Sequence, residues 1–130
     1  MNRFRFRLAH VLRIREVDEN KKKQEFGVAM GKLDRENDKL TELHHSLQGH
    51  EKSMENHGKG TVSAHQLNIN FNYARALDTK INEQQMHVDA AAEVLEVKRS
   101  ELAESSKKKK ILENLKERDR EEHNYAADKE

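Results

Sequence analysis

Apolar residues recur at every seventh position through the first half of the chain. The main register holds Leu12, Phe26, Leu33, Leu40, Leu47 and Met54, and only Glu19 interrupts it. A companion register is mixed in character and holds Leu8, Arg15, Lys22, Ala29, Glu36, Leu43 and His50. Two heptad positions on one face form the seam of a coiled coil, the row of side chains that a partner helix covers. The pattern predicts one helix over about residues 4–56 with a partly polar seam.

The second half of the chain has the same periodicity. Its main register holds Leu67, Ala74, Ile81, Val88, Leu95 and Leu102. The companion register joins apolar Leu77, Ala91 and Leu112 with polar Gln84, Lys98 and Ser105. Strict heptads on both helices favour a left-handed supercoil. We expect a second helix over about residues 63–124.

The segment 57–62 separates the two patterns and is predicted to be a turn. Gly58 and Gly60 stand there among polar residues, and glycine allows a helix to end and the chain to reverse. Ser63 and Gln66 have the spacing of a capping box, which marks the start of the second helix. A short turn makes the helices antiparallel. The predicted fold is therefore all-α, a long two-helix antiparallel coiled-coil hairpin forming one unit over residues 1–130.

An antiparallel hairpin also predicts which residues lie at the same level. The expected neighbours are Leu47 with Phe71, Leu40 with Leu77 or Ile81, and Phe26 with Ala91 or Ala92. At the far end, Phe4 and Leu8 are expected against Ile111, Leu112 and Leu115. Ile69 and Tyr73 cannot both enter the seam with Phe71, so at least one of them should be exposed.

Composition supports this architecture and narrows the function. The chain is 38% charged, 34% hydrophobic and 5% aromatic, without proline, cysteine or tryptophan, which is too little apolar material for a thick globular core. No apolar run is long enough to span a membrane. Catalytic motifs and a region that could form a pocket are also lacking. We therefore expect a protein that is not an enzyme and uses no cofactor.

Positive charge is concentrated in two segments that the hairpin would bring together. The five arginines Arg3, Arg5, Arg7, Arg13 and Arg15 precede the first acidic residue, and Lys107–Lys110 form a continuous run. We expect a basic end around a small apolar tip, suited to a negatively charged partner. Solvated lysines and a nucleic-acid contact are the alternatives, although Glu101, Glu104 and Glu113 weaken the second.

Five histidines lie near the predicted turn: His44, His45, His50, His57 and His65. A metal site needs ligands that are fixed by surrounding groups. A hairpin tip supplies little such support, so solvated histidines are favoured over a metal site or a pH switch.

Two terminal motifs resemble the FliJ family, the coiled-coil proteins of the flagellar type III export apparatus. The first is the segment 4–16, FRFRLAHVLRIRE, and the second is the segment 108–118, KKKILENLKER. The region 58–81 is similar more loosely, through a glycine turn followed by an aromatic-rich helix start. The two motifs occur in the family's order, and the resemblance spans nearly the whole chain.

The resemblance implies a stalk and adaptor rather than an enzyme. The implied partners are the hexameric export ATPase, whose ring centre the terminal end would enter, the membrane export-gate protein, and substrate-specific export chaperones. The implied ring-binding residues are Phe4, Arg5, Leu8, Leu12, Arg13, Leu112, Leu115, Lys116 and Arg118. Tyr73 and Leu77 are the implied gate-binding residues, and the implied location is the cytoplasmic face of the inner membrane at the flagellar base.

Two other functions fit the residues. One is a prefoldin-like or structural coiled coil whose tip grips client proteins. The other is a nucleic-acid binder that uses the basic end, which would show a steep dependence of affinity on salt.

Overall fold

The computed structural model describes residues 3–57 and 63–129 and contains two helices. Helix α1 spans Ala9–His57 and helix α2 spans Ala64–Lys129, and the two pack against each other. The all-α two-helix fold is therefore confirmed. Of the turn predicted at 57–62, residues 58–62 lie outside the described residues. The chain divides into two compact units, unit 1 with Met1–Val28 and Glu96–Glu130 and unit 2 with Ala29–Leu95.

The start of α2 is a reciprocal capping box. The Gln66 backbone N–H donates to Ser63 Oγ at 3.1 Å, and the Ser63 N–H donates to Gln66 Oε1 at 3.4 Å. These bonds satisfy backbone donors that have no partner within the first turn of a helix. The predicted cap is confirmed.

Helix α1 begins five residues later than expected. Ahead of it, the Ala9 N–H donates to the Phe6 carbonyl oxygen at 3.1 Å in a tight turn, and the Leu12 N–H then makes the first helical bond, to the Leu8 oxygen at 2.9 Å. Phe6 is only 8% exposed. Burial of this phenylalanine fixes the segment before α1 in a non-helical conformation.

In unit 2 the seam follows the predicted heptads. The shielded positions of α1 there are Ala29, Leu33, Glu36, Leu40, Leu43, Leu47 and His50. Those of α2 are Ala74, Leu77, Ile81, Gln84, Val88, Ala91 and Leu95. The hydrogen-bonded pairs Glu36 with Gln84 and His50 with Asn70 run in opposite directions along the two helices, so the pairing is antiparallel. Leu67 departs from the pattern, since it is 51% exposed.

Unit 1 has an antiparallel seam of the same kind. Its shielded positions include Leu12, Arg15, Glu19, Lys22 and Phe26 on α1, and Lys98, Leu102, Ser105, Lys109 and Leu112 on α2. Four of these residues make ion pairs between the two helices: Glu19, Lys22, Lys98 and Lys109. Ser105 makes a hydrogen bond between the helices through its hydroxyl group. The seam of unit 1 therefore depends on polar contacts as well as on apolar burial.

Two predicted neighbour relations are wrong. Phe71 does not fill the seam beside Leu47, because it is 64% exposed and the Arg75 guanidinium lies 5.3 Å from its ring centroid. Phe4 packs on His123, with ring centroids 5.5 Å apart, instead of lying level with Ile111–Leu115, and Ile111 is 58% exposed. The non-helical segment before Ala9 explains the second difference. Extended chain advances about 3.3 Å per residue against about 1.5 Å in a helix, so Phe4 reaches further along α2.

Neither helix, within the described ranges, has a window apolar enough for a transmembrane segment. This agrees with a mean hydropathy of -1.12 and with the charged outer faces of both helices.

Gly27 is an internal helical glycine whose replacement should stabilise the protein. A Cβ built there meets no atom within 4 Å, and Gly49 is equally open. We predict that Gly27→Ala raises the free energy of unfolding by about 1 kcal/mol, since alanine loses less backbone entropy on helix formation. Urea unfolding followed by circular dichroism measures the change. Gly49→Ala is the matched second variant, and an unchanged or lower unfolding free energy in both would contradict the prediction.

Candidate functional site

The start of the chain packs onto the late part of α2 and forms the first candidate surface. Phe6 and Leu12 are buried, whereas Phe4 is half-buried against His123. Sequence reasoning included Phe6 in a motif but did not assign it to the core. The alternation of Phe4, Phe6 and Leu8 was the available signal, because it has the period of an extended segment rather than of a helix.

The predicted ring-binding residues fall into three groups by exposure. Arg5, Arg13, Lys116 and Arg118 are exposed, whereas Phe4, Leu8, Leu112 and Leu115 are half-buried. Leu12 is 6% exposed, so its side chain holds the helices together and is not available at the surface. The exposed members are all cations, so the chemistry of this surface is dominated by positive charge.

An apolar patch that sequence reasoning missed lies beside Arg13 on the outer face of α1. Ile14 and Val17 are 52% and 68% exposed, and with His10 and Arg13 they line a shallow depression. Both lie outside the two heptad registers, which is the signal that could have identified them. We call these four residues the α1 patch.

The lysine run lies at a different level from Arg3, Arg5 and Arg7, the arginines nearest Phe4. Lys109 turns into the seam, where its Nζ lies 2.8 Å from Glu19 Oε1 and 3.4 Å from Glu113 Oε1. This pair sets the run level with Glu19, whereas the segment level with Phe4 contains His123 and its acidic neighbours Glu121 and Glu122. The expected basic end is therefore divided along the helices and partly neutralised.

Among the acidic residues of unit 1, Glu19 has the most strongly shifted pKa. The Lys109 hydrogen bond, supported by Ser106 and Lys23, lowers the pKa of Glu19 from 4.5 to about 2 against the opposing effect of burial. Glu19 in turn raises the pKa of the Lys109 ammonium. Beside this pair, Ser105 Oγ donates to Asp18 Oδ2 at 2.8 Å. Glu19 was expected only as an interruption of the apolar register, but it is the anchor of a cross-helix ion pair.

A second charged network joins the two helices of unit 1, one or two turns from the pair of Glu19 and Lys109. Lys98 Nζ lies 3.5 Å from both Glu101 Oε2 and Glu25 Oε2, and Lys22 Nζ lies 3.8 Å from Glu101 Oε2. Attraction to Glu101 and then to Glu25 raises the pKa of Lys98. The Arg99 guanidinium lies 5.9 Å from the Phe26 ring centroid. All four ion-pairing side chains are partly exposed, so the network contributes specificity more than stability.

Unit 1 has an open groove on its surface, and no metal centre is found among the described residues. The groove beside Asp18 and Ser105 is open and is also lined by Lys22, Ser100, Glu101, Glu104 and Lys108. No group of three potential protein ligands within residues 3–57 and 63–129 is arranged to hold a metal ion.

Unit 2 contains a buried polar pair at the centre of its seam. Gln84 Nε2 donates to Glu36 Oε2 at 2.6 Å and to the Glu36 backbone oxygen at 2.9 Å. The hydrogen bond from Gln84 lowers the pKa of Glu36, with a smaller contribution from Lys39 and Lys32. A charged acceptor and an amide donor at facing heptad positions fix the helix register.

Four apolar side chains are exposed at the start of α2, and we call them the 67–73 row because they alternate along the sequence. Residues two apart lie about 200° around a helix, so Leu67 and Phe71 share one face and Ile69 and Tyr73 share the other. Leu67, Ile69, Phe71 and Tyr73 are 51%, 53%, 64% and 49% exposed. Residues 63–74 contain no Asp, Glu, Lys or Arg. Of the predicted gate-binding pair, Tyr73 belongs to this row, whereas Leu77 is 5% exposed and packs in the seam.

His50 supports Tyr73 from α1. Its Nε2 lies 3.1 Å from the Asn70 backbone oxygen, which makes this nitrogen the donor, and the His50 and Tyr73 rings meet edge-on with centroids 4.7 Å apart. His44, His45 and His65 are exposed, and the side chain of His57 lies outside the description. The structure therefore gives one of these histidines a positioning role, in unit 2.

Comparison with protein-family models matches the chain to the family described as the flagellar FliJ protein, over residues 4–130. The chain belongs to the FliJ family. The family resemblance inferred from the terminal motifs is thus confirmed over nearly the whole chain. Membership of this family connects the protein with flagellar export. No curated protein and no solved structure matches it.

The cross-helix pair at Glu19 predicts a defined response to acid. The folded-state pKa of Glu19 lies below its ordinary value, so the stabilisation is present above pH 4.5 and is lost as the pH falls towards about 2. We predict that wild type exceeds Glu19→Gln in unfolding free energy at neutral pH and that this difference shrinks at about pH 3. Urea unfolding at the two pH values measures it. Glu55→Gln, at an exposed position of α1, is the control, and a pH-independent difference for Glu19→Gln would refute the assignment.

Proposed function

We propose that this FliJ-family protein is a non-enzymatic stalk and adaptor of the flagellar export apparatus. In this proposal unit 1 binds the centre of the hexameric export ATPase ring, unit 2 contacts the membrane export gate, and the protein handles substrate chaperones. The proposed location is the cytoplasmic face of the inner membrane at the flagellar base. The observation that carries the proposal is the family match over residues 4–130.

The surface chemistry of unit 1 supports binding to an acidic ring interior. Arg5, Arg13, Lys116 and Arg118 are exposed, and the α1 patch adds Ile14 and Val17 beside Arg13. Exposed cations speed the encounter with an acidic surface, while desolvated apolar side chains supply affinity. We assign ring contact to the cations and the α1 patch, with Leu8, Leu12, Leu112 and Leu115 supporting them from the seam side.

The uncharged row at the start of α2 supports a different kind of contact. Large apolar and aromatic side chains that stand exposed without charged neighbours are typical anchors of protein interfaces. We assign the gate-facing surface to Tyr73 together with Ile69, which lies one turn before it on the same face of α2, and Leu77 supports them from within the seam. The same row also suits a prefoldin-like coiled coil that grips client proteins, so the experiments must separate the two functions.

Charge reversal tests the ring assignment. We predict that Arg5→Glu with Arg13→Glu weakens stimulation and hexamer formation of the purified export ATPase by at least about tenfold, because two exposed cations are replaced by anions. ATP hydrolysis and analytical ultracentrifugation give the measurements. Lys52→Glu with Lys80→Glu is the matched control on exposed lysines of unit 2. Wild-type stimulation by the first variant would remove the ring assignment, and circular dichroism must show unchanged helicity.

Truncation of Ile69 and Tyr73 tests the gate assignment. We predict that Ile69→Ala with Tyr73→Ala weakens binding to the cytoplasmic domain of the gate protein by at least about tenfold, as expected for interface anchors. Isothermal titration calorimetry measures the affinity, and Val28→Ala is the exposed control. If the variant keeps its gate affinity but loses the ability to prevent aggregation of an unfolded client, the row serves client binding instead.

A further inference from the structure

The outer face of α2 in unit 2 carries an apolar row that no contact of the described residues covers. Met86, Ala90 and Val94 follow one another at a spacing of four, and Met86 and Val94 are 71% and 51% exposed. The neighbouring seam positions Gln84 and Val88 each lie two residues from Met86, which is about 200° around a helix. The row therefore points away from α1.

The same segment is acidic and lacks cations. Residues 81–97 contain Glu83, Asp89, Glu93 and Glu96 and no Lys or Arg. Asp89 accepts a hydrogen bond from Gln85 at 2.9 Å, whereas Glu83 and Glu93 make no ion pair with any described residue. Asp89 and Glu93 are like charges at a spacing of four, an arrangement that destabilises a helix. Glu36, on the other helix, shows the contrast, because Lys32 and Lys39 flank it.

We propose that this acidic face, defined by Met86, Ala90 and Val94 with Glu83, Asp89 and Glu93, binds a basic amphipathic helix of a partner protein. A row at a spacing of four is one of the ridges through which helices pack against each other. Ala90 lies in the middle of the row, and its small side chain allows a larger apolar residue of the partner to approach the backbone. Lysine or arginine beside the partner's apolar row would neutralise the acids.

Charge decides between this occupant and others. Nucleic acids and anionic lipid surfaces are repelled by a segment that holds four acids and no cation. A second copy of the chain would have to offer a basic apolar face, and the α1 patch is the surface that it would use. Self-association is therefore the competing outcome, and it can be measured separately.

This inference does not depend on the assignments to the ATPase ring or the export gate. The acidic face shares no residue with the terminal cations, the α1 patch or the row at residues 67–73. Its test uses neither of those partner proteins, so either proposal can fail while the other stands.

The probe is a pair of synthetic alanine-based helical peptides. Each carries one row of leucines four residues apart, flanked by lysine in one peptide and by glutamate in its twin. Titration of the labelled peptides with the full chain, followed by fluorescence anisotropy, gives both affinities at low and moderate salt. We expect the lysine peptide to bind at least about tenfold more tightly than its twin, with an advantage that declines as salt rises.

Variants of the full chain locate the binding site. Met86→Lys and Ala90→Arg should each weaken lysine-peptide binding by at least about tenfold, while Val28→Lys should leave it unchanged. Val28 is the matched control because it is 71% exposed, the same fraction as Met86. Circular dichroism must show equal helicity in all variants.

Three results would overturn the proposal. They are equal affinity for the two peptides, equal loss in Val28→Lys, and no measurable binding of the lysine peptide to the wild-type chain. Sedimentation equilibrium of the wild type is the final check. Concentration-dependent self-association that Met86→Lys abolishes would make the occupant a second copy and would also overturn the assignment to a partner helix.

Discussion

The hydrogen bond between Gln84 and Glu36 constrains the pairing of the two helices in unit 2. Apolar positions spaced by seven would tolerate a shift of one helix by a whole heptad, because one leucine can replace another. Such a shift would leave a carboxylate and an amide in the seam without their partners, and an unpaired buried polar group is costly. The pair of Glu19 with Lys109 has the same effect in unit 1. Register is thus specified by the polar members of the heptads.

The use of polar residues within the seam explains where the large apolar side chains are found. The seam is built from alanines, leucines and hydrogen-bonded polar groups, so several bulky residues remain at the surface. Eight of them form three separate groups with different electrostatic surroundings. The α1 patch lies among cations, the row at residues 67–73 lies in an uncharged segment, and the row from Met86 to Val94 lies among acids. Three chemically distinct surfaces suit a protein that contacts several partners.

Local and periodic features could be predicted from the sequence. The heptad registers gave the shielded positions of both helices, and the spacing of Ser63 and Gln66 gave the start of α2. Cross-helix details could not be predicted in the same way. The level of Phe4 depends on six residues that are not helical, and the position of Phe71 depends on His50 taking Asn70 and Tyr73 as its contacts. Lys109 is one of four consecutive lysines in the sequence, and its ion pair with Glu19 follows only from the pairing of the two helices.

The uncharged stretch at the start of α2 has a consequence for how the protein responds to its ionic surroundings. Attraction between exposed charges fades over a Debye length of about 8 Å at physiological ionic strength and over less in concentrated salt. Burial of apolar rings has no such screening, and salts that are excluded from protein surfaces strengthen it. Rising ionic strength would therefore loosen contacts made through the arginines while preserving those made through residues 67–73. A single chain would then release one class of neighbour and retain another without any change in its own conformation.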